Sequence, residues 1–384
     1  MKKLHEKYGP VVRIGPNLLD LDIPELYRVI YGTDSKWIKS DFYKNNSPVV
    51  HGKITPTMFS EVDPTKHAMI KRPIVRHYSV SAIQAVEPLM DSVLGDFLDM
   101  LQKRYVEPKI TCQFGDWLGY FAWDFMGIVT FSSKFGYMEH GYDFDGSLAI
   151  AEKAIDYFAH CGQMPWADYF LDKNPVCLIA GADTTTIAMR ALFYYVLKDP
   201  RVFARLQSEV RAAFTPFETA PYARARALPY LEAVVKETLR YHPPVPMLME
   251  RIVPADGLKL PDGSYVPGGQ IVGMNPYIIG RNRGMFGDDA DEFNPDRWLR
   301  RDGETEDEYK DRMQRWGNGL ITFGGGYRIC LGRHMSMMET YKVVATLLAA
   351  FDIELEDPNE KLQTSARWFY HTKGIVCKLR PRSS

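Results

Sequence analysis

Residues 323–332 read Phe-Gly-Gly-Gly-Tyr-Arg-Ile-Cys-Leu-Gly (FGGGYRICLG) and set Cys330, one of only five cysteines, in a glycine-rich loop two residues after Arg328. The next stretch, 333–351, has helical spacing, so Cys330 stands just ahead of a helix N-terminus and faces the positive end of its dipole. With Arg328 beside it, this predicts a lowered thiol pKa and a stabilised thiolate. Gly324, Gly325 and Gly326 allow the backbone to approach something flat and large. Taken alone, the loop also describes a buried free cysteine beside a turn. A phosphate loop is disfavoured, because GGGYRI lacks the Lys-Ser/Thr of a P-loop and the last glycine of GxGxxG. A cysteine protease is disfavoured because the local sequence suggests no Cys–His pairing.

The chain has 384 residues, room for one large domain or two ordinary ones, and its 46% apolar content supports a substantial core. Lys plus Arg is 47 against 48 Asp plus Glu, so no basic field points to nucleic acid. The cysteines (Cys112, Cys161, Cys177, Cys330, Cys377) are odd in number and widely spaced, which argues against a disulfide framework or zinc knuckle and for a reducing compartment. The sequence opens MKKLHEKYGPVVRIGPN, without the pattern of a signal peptide. The longest apolar run, Val176 to Leu197, carries Asp183 and Arg190. Each would cost a few kcal/mol at a bilayer centre, so the run is expected to be a buried core helix.

Val11–Ile14 and Leu18–Leu21 flank Gly15-Pro16-Asn17 and predict a hairpin; Pro24 opens a short helix. Ser81 to Arg104 is expected to be helical, capped by Ser81 and disturbed by Pro88. Helical spacing recurs at 146–160, 176–197, 199–213, 228–241 and 333–351. Leu258–Leu260 and Tyr265–Val266 flank Pro261-Asp262-Gly263, a second hairpin, and Asp352–Glu356 and Ile375–Leu379 are expected as late strands. Proline and glycine are dense over 282–332, which is expected to be mostly loop. No repeat and no linker divides the chain, so 1–384 is expected to be a single, mainly α domain with small β-sheets.

Two further stretches pair chemistry with spacing. In Lys236-Glu-Thr-Leu-Arg240, Glu237 and Arg240 share a helix face at i and i+3. On a surface this is an ordinary ion pair, but the helix is otherwise apolar, and a buried pair requires a third group. Arg297, in Phe293-Asn-Pro-Asp-Arg-Trp298, is a candidate. In Ala180-Gly-Ala-Asp-Thr-Thr-Thr186, a carboxylate and hydroxyls interrupt an apolar helix behind a glycine, as they would where a ligand lies against it; Asp183 as a helix N-cap is the equal alternative.

The four stretches AGADTT, ETLR, FNPDRW and FGGGYRIC stand in a fixed order, and with them the chain resembles the cytochrome P-450 superfamily of haem-thiolate monooxygenases. FGGGYRICLG fits that family's F-x-x-G-x-R-x-C-x-G pattern, Glu237 and Arg240 its E-x-x-R, Arg297 the arginine completing the triad, and AGADTT its oxygen-activating stretch. The opening HEKYGPVVRIGPN is similar to fungal members, including the pisatin-demethylase-like group. The resemblance implies the P-450 fold and haem b, with the Cys330 thiolate as its iron ligand. It also implies Arg328, Arg251, His67 and Lys71 on the haem propionates, and Phe323 and Gly332 in the haem loop. Asp183 and Thr184 would be the proton-delivering pair. Glu237, Arg240 and Arg297 would be a structural triad.

No flavin or NADPH fingerprint is evident, so the resemblance implies electrons from NADPH through a separate cytochrome reductase flavoprotein, and a lipophilic small molecule as substrate. Its eukaryotic members sit at the cytosolic face of the endoplasmic reticulum membrane by an N-terminal anchor and proline-rich hinge, both expected to be missing here. Between Gly162–Pro175 and AGADTT only Val176–Ile179 intervene, where members carry several tens of residues. The expectation is an internal deletion near 175–180 that removes much of the G, H and early I helices. A haem-thiolate isomerase or dehydratase, and a non-catalytic truncated remnant, are the competing functions; an intact Asp183-Thr184 favours the monooxygenase.

Overall fold

The structure is a computed structural model that describes residues 1–51, 53–161 and 180–382. Gly15-Pro16-Asn17 turns the chain as expected, pairing β1 (Val11–Gly15) with β2 (Leu18–Leu21). Far along the chain come β3 (Arg251–Ile252), the small expected hairpin β4 (Leu258–Lys259) with β5 (Tyr265–Val266), and β6 (Ile271–Gly273). β6 lies parallel to β2 and antiparallel to β3, giving a four-stranded sheet ordered β1-β2-β6-β3. Leu21, Tyr31, Trp37, Val272, Met274 and Ile321 pack on this sheet. Ile321 lies just ahead of the FGGGYRIC loop, so the sheet carries one side of that loop.

Helices follow the apolar spacing wherever it is amphipathic. α1 (Pro64–Lys71) starts where Asp63 accepts from the backbone N–H groups of Thr65 and Lys66. The helix expected over Ser81–Arg104 is divided. A short helix, Val80–Ala85, is capped by Ser79 rather than Ser81. α2 (Glu87–Leu101) then begins with Pro88 in its first turn, the one place where proline's missing N–H is harmless. α4 (Ser147–Cys161), α5 (Ala180–Lys198), α6 (Pro200–Ala213), α7 (Pro229–Tyr241) and α9 (Arg333–Ala350) match the expected stretches closely, and α3 (Phe114–Phe131) lies between α2 and α4.

Two helices correct the sequence-based expectations. α3 went unrecognised because apolar residues occupy nearly all of its faces and it carries Gly115, Gly119 and Gly127, so it shows no clear stripe; most of its length is buried in the core, with Asp116 and Phe131 exposed. α8 (Glu306–Gly319) stands in the stretch expected to be loop. It is polar and superficial, and its start is a capping box in which Thr305 and Glu308 satisfy each other's backbone N–H groups.

The main core gathers α2, α3, α5, α6, α7 and α9, with Phe97, Phe121, Phe125, Phe193, Val344 and Leu348 fully buried. The described part of the long apolar run is α5, buried among these helices, and no helix among the described residues is long and apolar enough to cross a membrane. The late strands form two antiparallel pairs. β7 (Phe351–Leu355) pairs with β10 (Cys377–Pro381), and β8 (Gln363–Ala366) with β9 (Tyr370–Lys373). The protein is thus mainly helical with small sheets. The expected deletion near 175–180 lies outside the described residues.

The Phe121 ring stacks 5.2 Å from Phe97 and 6.3 Å from Phe125 with no exposure. Phe121→Ala should therefore lower unfolding free energy by about 3–5 kcal/mol, measured by chemical denaturation, because the two helices cannot collapse onto the space left.

Candidate functional site

The Cys330 loop is held from both sides by backbone. The Cys330 N–H donates to the Phe323 carbonyl at 2.8 Å, closing the loop on itself, and Tyr27 Oη donates to the Gly324 carbonyl at 3.0 Å. A Cβ on Gly325 would stand 2.5 Å from Tyr27 Oη, and one on Gly326 only 1.7 Å from the Gly32 carbonyl oxygen. These two glycines therefore serve close approach to the Tyr27–Gly32 segment, not the approach to a flat ligand that the sequence suggested. Gly332 is the residue at which α9 starts.

The Cys330 thiol is reachable by water, yet protein atoms crowd it enough to disfavour its charged form. Both are true of a side chain lining a recess. Burial pushes the thiol above its ordinary range, against the backbone N–H groups of Gly332 and Arg333 and the Arg333 charge. The expected lowering is thus overturned for the free thiol: the helix-end amides act as foreseen but burial outweighs them. Arg328 plays no part, because its guanidinium turns away to the carbonyls of Glu61 (2.6 Å) and Val62 (3.1 Å).

Around this loop converge cations from four segments. Lys71, on α1, donates to the Tyr327 carbonyl at 2.8 Å, and His67, one turn earlier, meets the Tyr327 ring edge-on. Arg251, on β3, donates to the Glu250 carbonyl at 2.7 Å. Lys39, which the sequence analysis missed, is buried, donates to the Phe59 carbonyl at 2.7 Å, and lies 4.0 Å from the ring centres of Tyr43 and Phe59. Nothing in Lys36-Trp-Ile-Lys-Ser-Asp marks one lysine as buried; only the packing of that segment beside β3 does, through the Ile252 N–H to the Ile38 carbonyl. Among the described residues, none of Lys39, His67, Lys71, Arg251 and Arg328 forms an ion pair with a carboxylate. The site shows the strain of this. Burial, then the charges of Arg328, Lys71 and Lys39, lower His67 to about 4. Burial, then Arg251 and Arg328, push Lys39 far below its usual value. The Arg328 Nε is buried without a partner.

Behind the loop stands the expected triad, and it is fully buried. The Glu237 carboxylate accepts from Arg240 (2.6 and 2.8 Å), Arg297 Nε (3.0 Å), Trp298 Nε1 (2.9 Å) and the Asn294 N–H (2.7 Å). Arg240 also donates to the carbonyls of Gly280, Ala290 (2.7 Å) and Glu292 (2.7 Å), and Arg297 to Asp289 and the Phe286 carbonyl. Trp298 is a member that spacing alone did not reveal.

On α5, Asp183 is not an N-cap: its Oδ1 accepts from Trp123 Nε1 of α3 at 3.1 Å. Burial pushes this carboxyl up to about 6. Thr184 is its half-buried neighbour. Thr185 bonds back to the Gly181 carbonyl (2.9 Å) and across to Ser336 Oγ (3.1 Å), tying α5 to the helix that follows Cys330. Ile187, one turn on, joins a cluster with Phe42, Tyr43, Phe158, Trp368 and Phe369, against which Val245 and Met247 pack. The segment 244–248 thus meets this aromatic cluster.

The sequence profile of the Cytochrome P450 family matches residues 174–379. "Cytochrome P450 monooxygenase cfoH" of Aspergillus candidus is 34% identical over 445 residues, taking in 99% of this chain and 82% of the relative. "Cytochrome P450 monooxygenase cicH" of Emericella nidulans is 33% identical, with 99% and 88% covered. A "Cytochrome P450 monooxygenase" of Aspergillus terreus is 33% identical, with 91% and 84% covered. The chain belongs to the cytochrome P450 family.

As a cytochrome P450 it is a monooxygenase that uses haem b and receives electrons from a redox partner. Its own residues fit that group. The Cys330 thiol is reachable by water, and four cations and the His67 imidazole surround its loop without carboxylate partners among the described residues, one with an orphaned buried N–H. This is the arrangement two propionates would neutralise.

Two outcomes test the site. Glu237→Ala strands two buried guanidiniums, and should cost about 3–5 kcal/mol, seen as loss of folded yield and a lower denaturation midpoint. Lys39→Met, which keeps the length of the side chain, should weaken haem retention by roughly 10–100-fold, the worth of one charge-assisted hydrogen bond, measured as the rate of haem transfer to a haem-free globin.

Proposed function

We propose that this cytochrome P450 inserts one atom of dioxygen into a lipophilic small molecule of fungal secondary metabolism. Cys330 is the iron ligand, and the electrons come from NADPH through a separate reductase flavoprotein. The observation that supports this reading is the convergence of the basic side chains Lys39, His67, Lys71, Arg251 and Arg328, none paired with a carboxylate among the described residues, on the loop that bears Cys330. Bound haem supplies the one-electron and oxygen chemistry that no side chain here can perform.

The rest follows from the chain's own groups. The Gly332 and Arg333 amides and the Arg333 charge favour a thiolate at Cys330 against the burial that raises it, and a bound haem iron would stabilise that thiolate. Arg251, Arg328, Lys39, Lys71 and His67 would hold the propionates, whose charge would offset the repulsion that adds to burial in lowering His67 and Lys39. Asp183, at about 6, exchanges its proton near neutral pH, as a relay from water must, and Thr184 stands next to it. The aromatic and aliphatic cluster of Phe42, Tyr43, Phe158, Ile187, Trp368 and Phe369 suits a lipophilic substrate.

A second reading, a shortened and non-catalytic member, is favoured by one comparison. The relative from Aspergillus candidus aligns over 445 residues, although this chain has 384 and 99% of them take part. Tens of aligned positions therefore have no counterpart here.

The test is a carbon monoxide difference spectrum of the purified, reduced protein. A red-shifted, thiolate-type Soret band is expected, and it should vanish in Cys330→Ala. Colour and band unchanged in that variant would refute Cys330 as the ligand. Turnover with NADPH and a reductase then separates the monooxygenase from the non-catalytic member, which would give the band and no product.

A further inference from the structure

We propose that Trp123 is a positioning residue for Asp183: its indole N–H holds one carboxyl oxygen, so that the other alone carries the relayed proton. This rests on the monooxygenase reading given above. The bond runs from Trp123 Nε1 to Asp183 Oδ1 at 3.1 Å, across the packing of α3 on α5. The donor is fixed, because Trp123 is buried and its ring meets Phe135 at 6.0 Å and Tyr137 at 5.7 Å, both nearly edge-on. An indole N–H donates and cannot accept. It therefore cannot take the proton itself, and it bonds in preference the oxygen that bears none, which is the better acceptor. When Asp183 is protonated, the proton sits on Oδ2.

Two charged groups act on this carboxyl, Arg190 and Glu152, and Asp116, Tyr120, His371 and Lys373 stand around them. Arg190 lies further along α5, Asp116 and Tyr120 on α3, Glu152 on α4, and His371 and Lys373 on β9. Arg190 donates to the Gly115 carbonyl (2.6 Å), the Thr372 carbonyl (3.2 Å) and Asp116 (3.3 Å), and Lys373 pairs with Glu152 at 3.0 Å. Arg190 is thus engaged elsewhere and acts on Asp183 at range, lowering it, while Glu152 raises it. Trp123 is the direct donor among these groups. Its bond favours the ionised carboxylate, so its loss must raise the carboxyl further above about 6.

Trp123→Phe keeps the buried ring and deletes the donor. In the haem-loaded protein with its reductase, the limb of the kcat–pH profile that Asp183→Asn abolishes should move to higher pH by roughly 0.5–1, the worth of one hydrogen bond. The share of electrons lost as peroxide should rise, while KM and the carbon monoxide spectrum stay unchanged. A second measurement needs no turnover. The ultraviolet resonance Raman marker of indole hydrogen bonding, taken as the difference between parent and Trp123→Phe, should titrate near about 6 and become pH-independent in Asp183→Asn. If Trp123→Phe does not fold, the difference between parent and Asp183→Asn contains the same titrating marker. A free-indole marker, a marker that ignores pH in the parent, or superimposable pH profiles would overturn the proposal. Absence of turnover in every protein would count against the functional reading instead, and the Raman titration would then decide alone.

Discussion

Every part of the candidate site leans on one buried carboxylate. Glu237 is shared by two guanidiniums and an indole with no solvent contact, so each of its lone pairs has to be met by protein. That requirement joins segments far apart in the chain. Arg240 reaches the carbonyls at 280, 290 and 292, Arg297 reaches Asp289, and Arg312 of α8 donates to the Arg297 carbonyl at 2.6 Å. One residue before Arg240, the Leu239 carbonyl accepts from Thr322 at the mouth of the Cys330 loop. The position of the thiol is therefore set by an ion network that never touches it.

The second constraint is electrostatic and of opposite character. The triad balances its charges within the protein, whereas the cations around the loop do not. Holding Lys39, His67, Lys71, Arg251 and Arg328 together costs free energy, visible in the lowered values of His67, Lys39 and Lys71. An anion that binds only the folded state recovers that cost, which couples stability to occupancy of the site. The basic residues gathered around the loop thus destabilise the fold when no anion is bound.

The cluster around Ile187 of α5 is built from rings rather than charges, and Asp183, one turn earlier, feels only Arg190 and Glu152. Its carboxyl is buried enough to be raised toward neutrality, but keeps one indole donor and distant charges from Arg190 and Glu152. A buried carboxyl with several ion-pair partners would remain ionised, and one with none would remain protonated. Asp183 lies between these cases, which is where exchange with water at neutral pH is possible.

The residues of the site and most helix positions were legible in the sequence. Cysteine, arginine and glycine at fixed spacing, and the i, i+3 pair of Glu237 and Arg240, are local patterns that a linear chain displays. Packing decided what could not be seen there. α3 has almost no polar face because most of its length is buried in the core, so no periodicity announced it. α8 has almost no apolar face, and its capping box is worth little until the chain around it is placed. Lys39 looks like any surface lysine until β3 closes over its segment, and Trp123 like a core aromatic until α5 brings Asp183 to its N–H. The Cys330 thiol shows the same division: the sequence implied a helix start that favours the thiolate, and the tertiary structure supplied burial that reverses the balance. Hydrogen bonds and dipoles along one segment are encoded by neighbours in the chain. Desolvation depends on atoms brought together from everywhere else, so only the folded molecule sets it.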